Sequence, residues 1–134
     1  MTNAGYSGTP QAKKLGIKPG LTLSVVNRPQ SWEFAALPDG VESVETGPAD
    51  VILAFVTSAT QLATCFDTLP ERIFPAAALW FAWPRKAAGH VSDVDENLIR
   101  NTALERGLVD VKVAAIDTDW SGLKVVWRVE NRVR

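Results

Sequence analysis

The chain holds one histidine, His90, and one cysteine, Cys65. A catalytic zinc site uses about three protein ligands and a structural one about four, drawn mainly from these two types. Carboxylates would have to supply most of such a set, and no metal site is expected. His90 falls in a loop, Arg85–Val91, without an evident partner, and reads as a solvated side chain rather than a general base. Cys65 sits mid-helix beside Phe66. Nothing near it would lower a thiol pKa, so a buried, inert thiol is expected. Gly5-Tyr6-Ser7-Gly8 departs from the G-x-S-x-G elbow of serine hydrolases and does not lead from a strand into a helix. Asp117 and Asp119 have the spacing of a metal-binding carboxylate pair, but aspartate in such a loop commonly bonds its own backbone. Asp93, Asp95 and Glu96 place negative charge at the positive end of a helix. No residue is assigned a catalytic role.

The cations offer more. In open α/β sheets, ligands bind beyond the carboxyl ends of the strands. On the strand assignment below, those ends carry Arg28, Thr57, Ser58, Trp83, Arg85 and Lys86. Cations beside an aromatic ring can hold a phosphate or carboxylate and stack a flat group. An arm with Lys13, Lys14 and Lys18 could fold over the same edge. The alternative is that Trp83 closes the core and the cations keep a loop soluble. Trp120, in the loop Asp117–Gly122, is a candidate partner-binding surface, unless it folds back onto the sheet.

The elements that position these residues follow from periodicity. Residues 1–20 contain Gly5, Gly8, Pro10, Gly16, Pro19 and Gly20, and are expected to form a basic arm or loop rather than a helix. Leu21–Asn27 is the first strand, and Gln30–Leu37 could form a short helix. Val41–Glu45 alternates as a one-sided strand does. Val51–Val56 and Ala77–Trp83 are apolar throughout, as strands buried on both faces are. Leu62, Phe66 and Leu69 recur at helical spacing, which predicts a helix over 59–69. A second helix should end near Arg106, with Gly107 as its stop. Val109–Ile116 places Val109, Val111, Val113 and Ala115 on one face, and Leu123–Val129 alternates after it. A hairpin loop, Asp117–Gly122, joins the two.

Strands alternating with helices imply a mostly parallel α/β sheet. We expect one domain over residues 1–134: a three-layer, Rossmann-like sheet of about six strands in the order 2-1-3-4-6-5, with an antiparallel C-terminal hairpin. The topology looks like a shortened class I methyltransferase-type sheet. A methyl- or hydride-transfer enzyme of that type needs glycines just after the first strand. Here the turn reads Asn27-Arg28-Pro29-Gln30-Ser31, without glycine, and Pro29 removes a donor. Glu45 alone, at the place of a ribose-binding acid, is weak support. No cofactor is expected.

The segments Gly5–Gly8 with Lys13–Gly20, Asp50–Thr57, Ala78–Gly89 and Gly107–Arg128 resemble a bacterial family catalogued as domain of unknown function 3052. The resemblance spans nearly the whole chain. It implies a compact cytoplasmic domain, and no reaction, cofactor or catalytic residue comes with it.

Over 134 residues, hydrophobic types make up 46% and charged types 22%, which excludes a disordered chain. Lys and Arg total 14 against 15 Asp and Glu, a net charge of −1 that argues against a nucleic-acid partner. The longest apolar runs fall short of the roughly 20 residues a membrane helix needs, so no membrane partner is expected. The composition and motifs lean away from an enzyme. They favour a non-enzymatic module that binds a small anionic ligand or a protein at the carboxyl edge. The alternative is an enzyme with a degenerate methyltransferase-like fold. A homodimer seam along the hairpin is a third option.

Overall fold

The structure is a computed structural model and describes residues 11–86 and 92–134. Gly5–Gly8 and His90 lie outside the described residues. Six strands form one sheet in the order β2-β1-β3-β4-β6-β5. β1 (Thr22–Val26), β2 (Glu42–Ser43), β3 (Val51–Phe55) and β4 (Ala78–Pro84) run parallel. β5 (Leu108–Ala115) and β6 (Trp120–Trp127) form an antiparallel hairpin, with β6 inserted against β4. This is the mixed, mostly parallel architecture expected from the alternation of apolar runs and helical periods. No helix among the described residues is long and apolar enough to cross a membrane.

β3 and β4 are apolar at every position because both of their faces are covered. Ile52, Ala54, Leu79, Phe81 and Trp83 face α2 (Ala59–Thr68) and α3 (Glu96–Glu105). Leu53, Phe55, Trp80 and Ala82 belong to the second core cluster, on the other face. Both helices begin at side-chain caps: Ser58 Oγ accepts from the Gln61 N–H at 3.1 Å, and Asp95 Oδ1 from the Leu98 N–H at 2.8 Å. Each cap satisfies a backbone donor that the helix leaves unpaired. Gly107 takes φ +86° just past α3, a left-handed backbone that glycine adopts without a Cβ clash.

The second face has a thinner cover, and here the sequence reading is corrected. Residues 11–14, expected to be irregular, form the one-turn helix α1 (Gln11–Lys14). Its Gln11 spans two elements, donating to the Ile116 carbonyl at 2.7 Å and accepting from the Ala35 N–H at 3.1 Å. The Trp80 indole donates to the Leu15 carbonyl at 3.1 Å. These bonds hold the arm across the sheet face. The helix expected over 30–37 is absent. Pro29 and a left-handed Ser31 (φ +68°) open an irregular segment instead. Its Trp32 and Phe34 pack edge to face at 4.9 Å. Inward residues two apart suit extended chain rather than a helix, where neighbours on one face lie three or four apart. The strand expected at Val41–Glu45 shrinks to the two residues of β2.

The hairpin turn is tighter than expected, because Trp120 already belongs to β6 and pairs with Pro84. Gly122 makes this possible: a Cβ there would lie 2.6 Å from Ile116 Cδ1. The single apolar face expected of β5 does not form. A bulge between Asp110 and Lys112 breaks its alternation and leaves Val111 and Val113 each 52% exposed.

Candidate functional site

The chain leaves β1 toward β2 on one side and β3 toward β4 on the other. The carboxyl ends of β1 and β3 therefore flank a topological switch point, the place where open α/β sheets bind ligands. A cavity of about 340 Å³ opens there, lined by Asn27, Pro29, Phe55, Thr57, Gln61, Pro84 and Trp120. Its size lies within the usual range for small-molecule sites. Among the described residues no lining side chain is charged.

Asn27 follows β1 directly and sits at φ +57°, a left-handed conformation that asparagine tolerates better than most residues. Its Nδ2 donates to the Phe55 carbonyl at 3.2 Å and to Cys65 Sγ at 3.7 Å. These partners fix which end of the amide is which. Asn27 Oδ1 is left without a donor among the described residues. Gln61, in the first turn of α2, is oriented the same way. Its Oε1 accepts from the Thr57 N–H at 2.8 Å and the Thr57 hydroxyl at 3.4 Å. Gln61 Nε2 has no acceptor among the described residues. Among the described residues the cavity thus presents the Asn27 Oδ1 acceptor and the Gln61 Nε2 donor. Phe55 and Trp120 form an aromatic wall, edge to face at 4.8 Å, and Trp32 backs Phe55 at the same distance.

Helix α2 opens at this edge, where a helix N-terminus would ordinarily favour an anion. Its first donors are already used. Asp93 Oδ1 accepts from the Ala59 N–H at 2.8 Å, Ser58 caps Gln61, and Gln61 takes the Thr57 N–H. A carboxylate of the chain itself occupies the place a ligand's anionic group would take.

Cys65 borders the site from α2 and is buried. Burial pushes its thiol up to about 11 from an ordinary 9.0, against a smaller opposing pull from Asn27. The folded chain then keeps this proton to higher pH than the unfolded chain does. The corresponding stability is intact below pH 9.0 and declines as pH rises toward about 11. Denaturant midpoints measured across that window should fall more steeply for the native chain than for Cys65→Ala. Equal slopes would refute the assignment.

The candidate residues from the sequence are dispersed. Thr57 lines the cavity. Arg28 is exposed, donates to the Trp32 carbonyl at 3.1 Å, and lies 5.8 Å over the Trp32 ring. Trp83 is only 8% exposed and packs in the core against the helices, so it offers no stacking surface beside Arg85 and Lys86. The Arg85 backbone N–H donates to the Asp119 carbonyl at 2.9 Å, and Lys86 is exposed. None of Arg28, Arg85 and Lys86 lines the cavity. Lys13 and Lys14 belong to α1, and the Lys14 carbonyl accepts from Lys112 Nζ at 3.1 Å. That bond sets them across the sheet face rather than over its carboxyl edge. Lys18 lines a groove at the opposite edge. Trp120, half-buried, folds onto Phe55.

Asp117 serves its turn. Oδ1 accepts from the Asp119 and Trp120 N–H groups, and Oδ2 accepts from the Trp32 indole at 2.8 Å. Among the described residues no three His, Cys, Asp or Glu side chains are grouped to hold a metal. Asn27, Gln61, Pro29, Pro84 and Phe55 were not singled out from the sequence. Neutral amides and prolines carry no charge signal, and only their position at or near the carboxyl ends of β1, β3 and β4 could have flagged them.

No family model matches the chain, and no curated protein does. Among solved structures it is similar to the ribosomal protein L11 methylase of Lactobacillus delbrueckii subsp. bulgaricus. The identity is 14% and the TM-score 0.55, over 88% of this chain and 75% of that one. It is also similar to magnesium protoporphyrin IX methyltransferase of Synechocystis PCC 6803, a structure with bound SAM. There the identity is 10% and the TM-score 0.55, over 88% of this chain and 74% of that one. Likeness at this level shows the fold: a Rossmann-like sheet of the methyltransferase type.

Proposed function

We propose that this chain is a binding domain on a methyltransferase-type sheet, and that its switch-point cavity takes a small, planar, uncharged group. That group carries a donor and an acceptor on one edge, as a nucleobase does. The observation that carries the proposal is the pair of oriented amides, Asn27 Oδ1 and Gln61 Nε2, in a lining that is otherwise largely apolar among the described residues. An apolar lining covers a flat ring, and two fixed polar groups set its orientation. Arg28, Arg85 and Lys86 stay outside the lining, so the anionic part of the expected ligand has no built seat among the described residues.

The second reading is a methyltransferase-like enzyme, favoured by the two similar structures. S-adenosylmethionine has a ribose diol and a zwitterionic methionyl end as well as its adenine. The turn after β1 supplies no helix N-terminus for the carboxylate, and the cavity has no acid for the ribose among the described residues. The lining suits a base and does not fit the whole cofactor.

Titration of isotope-labelled chain with adenine, adenosine and S-adenosylmethionine separates the two readings. Adenine and adenosine are expected to shift the side-chain amide signals of Asn27 and Gln61. Gln61→Met should weaken the effect about tenfold, as loss of one or two buried hydrogen bonds does. S-adenosylmethionine should bind no better than adenosine. No response to any base would overturn the proposal, and much tighter binding of S-adenosylmethionine would favour the enzyme.

A further inference from the structure

Lys124 is placed where a lysine is costly. It lies on β6, an interior strand, on the face covered by the N-terminal arm, and is half-buried. In register it stands between Trp80 of β4 and Lys112 of β5. Like charges directly opposite on paired strands repel. Lys112 is relieved by the Lys14 carbonyl, whereas Lys124 has no hydrogen bond or ion pair among the described residues. A half-buried cation without a partner calls for an anion.

A groove of about 510 Å³ opens beside it at the amino edge of the sheet, opposite the switch point. Lys18, also without a partner among the described residues, lines it together with Lys124. The third cation, Arg72, is engaged: Nε donates to the Gly47 carbonyl at 2.7 Å and Nη2 to Ser24 Oγ at 3.0 Å. The only carboxylate in the lining among the described residues is Asp50, whose Oδ2 is taken by the Thr22 N–H and hydroxyl, both at 2.9 Å. The groove therefore keeps a positive balance that its own acid does not cancel. Apolar side chains, Leu21 and Phe74 among them, line part of the rest.

We propose that this groove binds a small organic anion with an apolar body, its carboxylate, sulfonate or phosphate held by Lys18 and Lys124. The site is separate from the switch-point cavity and stands without any function assigned there. Charge-assisted bonds from two ammonium groups would orient the head, and the apolar walls would cover the body.

The test uses the full chain and 8-anilinonaphthalene-1-sulfonate, an aromatic sulfonate whose fluorescence rises in apolar surroundings. Binding is expected to saturate and to weaken with added salt. Octanoate should displace the probe, and octanol should not. Lys18→Glu with Lys124→Glu should lower affinity by at least about tenfold. If that double variant fails to fold, Lys124→Met decides. It should melt at a higher temperature than the native chain in the absence of probe, because the repulsion from Lys112 is gone, and should bind the probe more weakly. Unchanged affinity in a folded variant, equal competition by octanol, or no saturable binding would each overturn the proposal.

Discussion

Replacing Phe55 with alanine is expected to destabilise the fold by about 3–5 kcal/mol, the usual cost of deleting a fully buried aromatic ring. Phe55 is 1% exposed and ends β3, with strands paired on both sides. Its ring meets Trp32 and Trp120, each at 4.8 Å. Edge-to-face contacts of this kind add to what burial alone contributes. The void cannot close readily, because its lining comes from a paired strand on one side and the Asp117-anchored turn on the other. Chemical denaturation measures the loss directly, and a cost below about 1 kcal/mol would contradict the central, two-sided burial of β3. The same ring is a wall of the switch-point cavity, so any residual folded variant should also lose the site's shape.

Trp80→Ala should cost a similar amount, about 3–5 kcal/mol, by a partly different route. Trp80 is completely buried, and its indole N–H holds the Leu15 carbonyl at 3.1 Å. Alanine deletes the ring and also leaves that carbonyl without its donor. Trp80→Phe separates the two effects: most of the packing stays while the bond is lost, at about 1–2 kcal/mol. Amide hydrogen exchange locates the damage. Protection should drop before that of β3 at Leu15, whose N–H is shared between the Gln11 and Ala12 carbonyls, and at Ile17, whose N–H donates to the Ala12 carbonyl. Uniform loss across the sheet would show that Trp80 supports the core without tethering the arm.

The sheet was legible because its central strands cannot be mistaken for one-sided ones. VILAFV and ALWFAW have no polar position, and the helical period of Leu62 and Phe66 lies between them. Strand order followed from chain order and the handedness of crossovers. The cover on the second face was not legible. It depends on Trp32 and Phe34 in irregular chain, where no period marks them, and on the single bond from Trp80 to Leu15. Trp83 was left between a core and a surface reading for a related reason, and it packs in the core. In a strand apolar on both faces, alternation separates Trp83 from Ala82 but does not say whether either face is open at the strand's end. Charge drew attention to Arg85 and Lys86, whereas the oriented groups at the switch point are the uncharged Asn27 and Gln61. Their meaning comes from what holds their other ends, which no spacing records.

The two margins of the sheet are unequal. One ends in β2, two residues long; the other ends in β5, eight residues long, kinked at its bulge, with Val111 and Val113 open beside it. Main-chain recruitment of a neighbour can therefore use only one side. Two copies joined along β5 would turn only their stubs outward, and a stub of two residues cannot template another strand. Among the described residues, growth by sheet extension would stop at a pair.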